Sequence, residues 1–357
     1  MGQHDLIVLT FRGALRGREQ RPGYLPSDML WGALYSADVR LQGAPLPTGN
    51  PYRVSSAFPF VGGDWLLPKP RVSAEEPEPA GRGSSLKKKA KGLNYVRLAD
   101  FLTLARGQRL TDLDAALAAQ RRALLPVGGA PLTLSDQALE RALRPTKRTP
   151  DALARERYGA GVAELSGTEK LHLVRQARGR SVTGQTERQR NSQDRVTAAT
   201  ETFMTAGLAQ PRVAFLLETT SPEQRTRLMA ALRLLADSGL GGLRTQGSGQ
   251  FEFELRPVPA ELGRRLRSEG PQILLGLTRP SPEEARAIDE AEGSRYGLIR
   301  RDGFLDGTGQ ERQDVWMLTE GSLVPGPLAG TLTDVAPPNF SHPVWRSGLA
   351  LSVGVSA

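Results

Sequence analysis

The sequence predicts an α+β chain of two ferredoxin-like (RRM-like, βαββαβ) domains, the first with a large, partly disordered helical insertion and a glycine-rich loop. Three observations predict it. Apolar periodicity alternates between strand and helix spacing in the order β-α-β-β and, much later, β-α-β. Between those runs, residues 73 to about 189 change composition and read as an insertion within one domain. Ser221-Pro-Glu-Gln224 ahead of one helix recurs as Ser281-Pro-Glu-Glu284 ahead of another, a sign of internal duplication unless a common helix cap has simply recurred. The expected domains are residues 1–256 and 257–357.

Leu6-Ile-Val-Leu9 opens the chain as a short buried strand. Pro26-Ser-Asp28 supplies helix-start chemistry for Met29 to Val39, in which Leu30, Ala33, Leu34 and Ala37 form an apolar face. The loop before that helix holds Arg12, Arg16 and Arg18, either solvated or in contact with RNA. Tyr52 to Lys69 reads as two strands about the turn Gly62-Gly63. Residues 73 to 92 are rich in Glu, Pro, Gly, Ser and Lys, and are expected to be mobile without a partner. Leu113 to Leu125 and Ser135 to Leu143 are helical by pattern. Strand signals return at Val213 to Glu218, followed by a capped helix with Leu228, Leu232 and Leu235 on one side. Phe251-Glu-Phe-Glu-Leu255 then alternates as a strand with its phenylalanines on one face. In the second domain Ile273 to Leu277 begins a new strand and a helix runs to Ala291. Arg295 to Phe304, Asp314 to Val324 and Gly348 to Val355 supply three more strands.

Helix and strand of the first domain are joined by Gly239 to Gly249, GLGGLRTQGSG, in which five of eleven residues are glycine. Such a backbone can adopt φ > 0 and turn its N–H groups outward as an anion-binding nest. Arg244, Thr245, Gln246 and Ser248 add charge, hydroxyl and amide donors. The loop is therefore either a phosphate cradle or a connection that is glycine-rich for turn geometry alone.

Composition narrows the partner. With 47 Lys and Arg against 38 Asp and Glu, the 357 residues carry a net charge of +9, which makes a polyanion the leading class. There is no cysteine, which removes disulfides, thiolate metal sites and a cysteine nucleophile. No apolar run approaches the roughly 20 residues that span a bilayer, and the N-terminus does not read as a signal peptide. A cytoplasmic protein with no membrane partner is expected.

No catalytic residue and no metal or other cofactor is expected. His4, His172 and His342 are far apart in sequence and lack neighbours at metal-ligand spacing. Asp64 has Trp65 where a metal site would place a second carboxylate. P-loop, HExxH and GxSxG motifs are absent. The strongest remaining pattern is Arg188 to Thr197, RQRNSQDRVT, three arginines interleaved with amides and hydroxyls. Such a strip is either a polar linker or a set of groups that fork phosphates and bond base edges.

The order of the first domain, with a glycine-rich loop between its second helix and last strand, resembles the RAMP superfamily of CRISPR-associated proteins. YLPSDMLWGAL at Tyr24 to Leu34, FPFVGGDWLLPKP at Phe58 to Pro70, RNSQDRVT at Arg190 to Thr197 and DSGLGGLRTQGSGQFE at Asp237 to Glu252 narrow the likeness. EGSLV at Glu320 to Val324 and HPVWRSGLAL at His342 to Leu351 complete it. Together they resemble the fourth-subunit family of the type III-A Csm interference complex, within the Cas5 group. That resemblance covers everything except the insertion.

It implies a non-catalytic subunit that caps the foot of the complex, holds the five-prime repeat tag of the CRISPR RNA, and docks the large Cas10 subunit beside an adjacent backbone RAMP subunit. Carried over by position, it implicates Gly241, Gly242, Arg244, Thr245, Gln246, Gly247 and Ser248 of the loop in RNA binding. Arg190, Asn191, Arg195 and Thr197 follow from the RNSQDRVT strip. Gln250 stands where an arginine is common in the superfamily, which weakens the expectation of a phosphate contact there. Two other readings stay open. A RAMP endoribonuclease would cut repeat RNA without metal, often with a histidine in or near the first helix, and Ser27 to Val39 contains none. A generic RNA-binding module of the RRM kind would display aromatics on an open sheet.

Overall fold

The structure is a computed structural model that describes residues 2–12, 15, 24–44, 51–61, 63–72, 93–110, 112–123, 185–193, 200–208, 212–242, 244–266, 268–305 and 309–355. The expected mobile segment 73–92, the helix at Ser135 to Leu143, and Arg16, Arg18, His172, Arg195 and Thr197 lie outside the described residues.

The chain is α+β, with antiparallel pairing in every sheet that is described. Its first part runs β1 (Gln3–Phe11), α1 (Ser27–Gln42), β2 (Arg53–Val54), β3 (Phe58–Val61), β4 (Asp64–Pro68), β5 (Tyr95–Arg97), α2 (Leu98–Ala105) and α3 (Leu113–Ala123). A hairpin of β6 (Gln185–Gln193) and β7 (Thr200–Leu208) precedes β8 (Arg212–Thr219), α4 (Pro222–Ser238), β9 (Phe251–Arg256) and α5 (Ala260–Arg265). The remainder is β10 (Gln272–Leu274), α6 (Pro282–Glu290), β11 (Leu298–Arg301), β12 (Val315–Leu318), β13 (Leu323–Val324), β14 (Gly330–Asp334), β15 (Trp345–Leu349) and β16 (Ser352–Gly354).

The main sheet has the order β5-β4-β3-β8-β1-β9, with β2 also on β8. Strand β1 is central because it is apolar on both faces. Its Ile7, Leu9 and Phe11 face α1 and α4 in one core, together with Val213, Phe215 and Phe251. Leu6 and Val8 face the other core, which also takes Phe101 and Leu104 of α2, Leu117 of α3, Leu262, Ile273, Leu275, Leu351 and Val353. Two consequences follow for the expected layout. Residues 93–123, read as part of an insertion, add β5 to the main sheet and cover one of its faces. That core also draws side chains from both sides of residue 256.

Helix ends obey local chemistry. Ser281 and Glu284 form a complete capping box on α6. On α4 the box is offset: Ser221 accepts from the Gln224 N–H at 3.2 Å, but the Gln224 side chain reaches the Thr220 N–H at 2.9 Å. Helix α1 stops at Gly43, whose φ of +70° and bond to the Val39 carbonyl form a left-handed cap. The α1 and α4 surfaces are pinned by Arg227, which grips the fully buried Asp38 at 2.7 and 3.1 Å.

Beyond residue 268 the described strands do not make a single sheet. They form a three-stranded sheet β13-β10-β16 and two ribbons, β11-β12 and β14-β15. Part of the hydrogen bonding near β10 goes instead to the first half. Ser56 N–H donates to the Leu275 carbonyl, and Leu277 N–H donates to Ser27 Oγ, each at 2.9 Å. None of the described helices is long and apolar enough to cross a membrane.

Candidate nucleic-acid interface

The glycine loop is closed at its neck by backbone bonds. Gly239 donates to the Leu235 carbonyl at 2.8 Å and Leu240 to the Gly249 carbonyl at 2.9 Å. Gln250 donates from Nε2 to the Asp237 carbonyl at 2.9 Å and so ties the neck together. Leu240 and Phe251 anchor the loop in the helix-side core. A Cβ on Gly249 would stand 1.9 Å from the Leu240 carbonyl oxygen, and one on Gly239 2.6 Å from that of Ser248. These two glycines are thus required by the way the loop folds on itself.

The other glycines serve the outer rim. Arg244–Gln246 is a single 3-10 turn, and Gly247 follows it at φ +75°. A helical turn followed by a left-handed residue is the backbone order of an anion nest. Within it the Gly247 N–H is already donated to the Arg244 carbonyl at 3.0 Å, so that amide is not a phosphate donor in this conformation. Gly242, Thr245 and Gly247 are exposed, Gly241 (φ +82°) and Arg244 are half-buried, and open space surrounds the Gly247 Cα. Ser248 is buried, which points its residue inward from the rim.

A second basic segment begins beside this loop. Arg12, at the end of β1, donates its N–H to the Gln250 carbonyl at 2.9 Å, and its guanidinium pairs with Glu252 at 3.2 Å. The β6–β7 hairpin returns to the same end of the sheet, because Arg212 opens β8 opposite Thr10. Only three residues separate Leu208 from Arg212, so the hairpin base lies within about 14 Å of that strand end. Nine residues of β6 extend about 30 Å. Arg190 and Asn191 stand opposite Phe203 and Thr202 near the outer end of the hairpin. Sequence pattern did not reveal this hairpin, since β6 has no apolar alternation to mark it as a strand.

The sheet itself is a poor platform for stacked bases. Both faces of β1 are covered, and Phe251 is buried. Glu252 and Glu254 fall on the opposite side of β9, as the alternation required. Glu254 is shared by Arg212 at 2.6 Å and Arg256 at 3.0 Å, and both arginines lie over the Phe60 ring. No sequence signal brought Arg212, Arg256 and Phe60 together; sheet register did.

The histidines remain dispersed. His4 is at the start of β1, opposite Glu218, about 20 Å or more along the strand from the glycine-loop end. His342 is exposed, against the Phe340 ring and with Nδ1 3.1 Å from Ser341 Oγ. Asp64 is exposed at the head of β4, while Trp65 is buried and donates to the Ala214 carbonyl at 3.1 Å. Among the described residues no three His, Asp or Glu side chains are placed to hold a metal ion.

The profile of the CRISPR Csm4 C-terminal domain matches residues 268–355. A Csm4 protein of Streptococcus thermophilus is 31% identical over 121 residues, covering 33% of this chain and 40% of that protein. The match therefore spans less than half of that relative. A Csm4 protein of Mycobacterium tuberculosis is 25% identical over 331 residues, covering 90% of this chain and 86% of the other. The fold is similar to a chain in the crystal structure of a Csm3-Csm4 subcomplex from a type III-A CRISPR-Cas interference complex, with a TM-score of 0.55, 17% identity and 98% coverage of both chains. This chain is a Csm4-like CRISPR-associated RAMP protein.

Three motifs that carried the Csm4-like resemblance converge on a buried polar cluster rather than on the rim. Tyr24 and Ser56 both donate to Glu320 Oε1 at 2.5 Å. Asp28 accepts from Arg301 at 3.0 Å through both oxygens and from Arg346 at 3.4 Å. Burial pushes Asp28 up to about 6 although Arg346 works against it, and burial lowers Arg301 to about 10. At neutral pH both stay charged. The YLPSD, EGSLV and HPVWRSG segments of the Csm4-like chain are thus joined by an interior ion network that fixes α1 against β11 and β15.

Proposed function

We propose that this chain is the non-catalytic RNA-binding subunit of a cytoplasmic type III-A CRISPR interference complex. In this reading it caps the foot of the complex, holds the five-prime tag of the CRISPR RNA, and docks the Cas10 large subunit and an adjacent backbone RAMP subunit. One observation carries the RNA assignment: the stapled glycine loop presents its open rim at the same end of the sheet from which Arg12 and the β6–β7 hairpin emerge. Backbone cradle and basic strip, separated by tens of residues in sequence, then act on one strand of RNA. The endoribonuclease reading has less support, because His4 lies at the far end of β1 and His342 in an exposed loop.

The test is binding of tag-bearing and scrambled RNA across a salt series. Arg244→Ala is expected to weaken both RNAs and to lower the salt slope by about 0.7, the loss of one single-strand phosphate contact. Asn191→Ala, which removes a donor and an acceptor, is expected to narrow the difference between the two RNAs. Unchanged affinity and slope in folded Arg244→Ala, together with unchanged discrimination in Asn191→Ala, would leave the loop a connection and the strip a polar ribbon.

A further inference from the structure

The face of the main sheet that turns away from α1 and α4 ends, at the glycine-loop side, in charge. Thr10 of β1 is exposed there, paired with Arg212 of β8 on one side and with Glu252 of β9 on the other. Strand alternation puts Glu254 and Arg256 on the same face, opposite Val8 and Leu6. Both arginines reach over Phe60, with the Arg212 guanidinium 5.1 Å and the Arg256 guanidinium 5.0 Å from its ring centroid. The ring is buried, whereas the arginine side chains keep 32% and 40% of their surface in water. An aromatic face thus holds two positive charges side by side at the surface.

Glu254 clasps the pair, and it does so through one oxygen. Arg212 Nη2 donates to Glu254 Oε1 at 2.6 Å, and Arg256 Nε donates to the same atom at 3.0 Å. Neither contact is the two-oxygen fork in which an arginine holds a carboxylate most firmly. Arg212 Nε is buried and has no hydrogen-bond partner among the described residues, so the clasp leaves one of that guanidinium's donors unused. Glu254 is itself 44% exposed, and ion pairs so open to solvent contribute little. A phosphodiester brings two non-bridging oxygens that share one negative charge, enough to give each arginine an acceptor of its own. Arg12 with Glu252 repeats the basic and acidic pairing nearer the glycine loop, where the Arg12 N–H meets the Gln250 carbonyl.

We propose that Arg212 and Arg256 on Phe60 form a phosphate subsite that carries the RNA path from the glycine-loop rim onto this face of the sheet, and that Glu254 is its built-in competitor, displaced when RNA binds. The proposal rests on the RNA-binding reading above and adds to it a site and its regulation. Its test is titration of the full chain with tag-bearing and scrambled RNA across a salt series. Glu254→Gln is expected to raise affinity for both RNAs by about three- to fivefold, the equivalent of removing one exposed ion pair that competes with phosphate. Arg212→Ala and Arg256→Gln are each expected to weaken both RNAs and to lower the salt slope by about 0.7. Because phosphate carries no sequence, the preference for tag over scrambled RNA should stay as in wild type in all three variants. Circular dichroism and thermal unfolding establish that each variant is folded; should Arg212→Ala uncover Phe60 and unfold the chain, Arg256→Gln and Glu254→Gln still decide.

Unchanged or weakened RNA binding in folded Glu254→Gln would overturn the competitor, since the carboxylate would then only position the arginines. Wild-type affinity and slope in the arginine variants would overturn the subsite; if the same variants lost binding to a purified protein subunit instead, the platform would be a protein contact. Those results, obtained with a wild-type chain that binds tag-bearing RNA, leave the RNA reading standing. Absence of binding to either RNA by both wild type and Glu254→Gln would sink that reading and this one together.

Discussion

Gly249 and Gly247 sit two residues apart, both at positive φ, and do different work. Gly249→Ala places a Cβ inside the neck of the loop, against the Leu240 carbonyl. It is expected to destabilise the free protein by about 2 kcal/mol or more, as strain and overpacking together imply. Gly247→Ala adds a methyl to open space and should cost only the left-handed backbone term of about 1 kcal/mol. Thermal unfolding of the two variants separates them, and equal losses would refute the division into neck and rim. Asp28 provides a test by pH. Its folded-state pKa of about 6 exceeds the ordinary 3.8, so the folded chain binds the proton more tightly. The stability from this group is complete below about 3.8 and is lost as pH rises through about 6. Wild type should therefore lose ground to Asp28→Asn between those values, by up to about 3 kcal/mol. A gap that moves the other way would mean that the two arginines outweigh burial.

At the scale of elements, α6 shows why a charge alone does not define a face. Its sequence is acidic on most sides, but Glu284 is committed: besides closing the capping box it accepts from the Ala329 N–H at 2.6 Å. Glu284→Lys should thus unpin the approach to β14 and cost about 1–3 kcal/mol, the penalty for unpaired backbone donors. Asp289→Lys, on an exposed residue of the same helix, should change stability by about 0.5 kcal/mol or less. Denaturant titration of both variants checks this, and similar losses would mean that the helix as a whole, not the Glu284 bonds, holds that loop.

For the whole molecule, the two sequence domains share one core. Leu6 and Val8 of β1 pack in the same cluster as Ile273, Leu275, Leu351 and Val353. The Asp28–Arg301–Arg346 network crosses the same boundary. A chain truncated after residue 256 would expose that apolar surface and leave Asp28 without both arginines. It is expected to be insoluble or molten, and the full chain to unfold in a single transition by calorimetry. Two separated transitions, or a well-folded 1–256 fragment, would show that the halves are energetically independent.

What the sequence determined by itself were features set by neighbours along the chain. A short apolar run located β1, strand signals located β8 and period-two alternation located β9, helical spacing located α1, α3 and α4, and Ser-Pro-Glu signals located the starts of α4 and α6, because propensity, capping and amphipathicity act over a few residues. The glycine richness of 239–249 was equally legible, but not which glycines the neck needs, since that depends on Gly249 meeting Leu240 across the loop. Alternation of β9 correctly set its glutamates apart from its phenylalanines, yet the arginines that pair with Glu254 came from register. Tertiary structure alone decided that 93–123 joins the main sheet, that the polar β6 and β7 pair, and that the strands beyond 268 divide among small sheets. It alone brought Tyr24, Asp28, Glu320, Arg301 and Arg346 into one buried cluster. Contacts between residues hundreds of positions apart leave no periodic trace in a single sequence, because they are chosen by shape and charge complementarity after the local elements have formed.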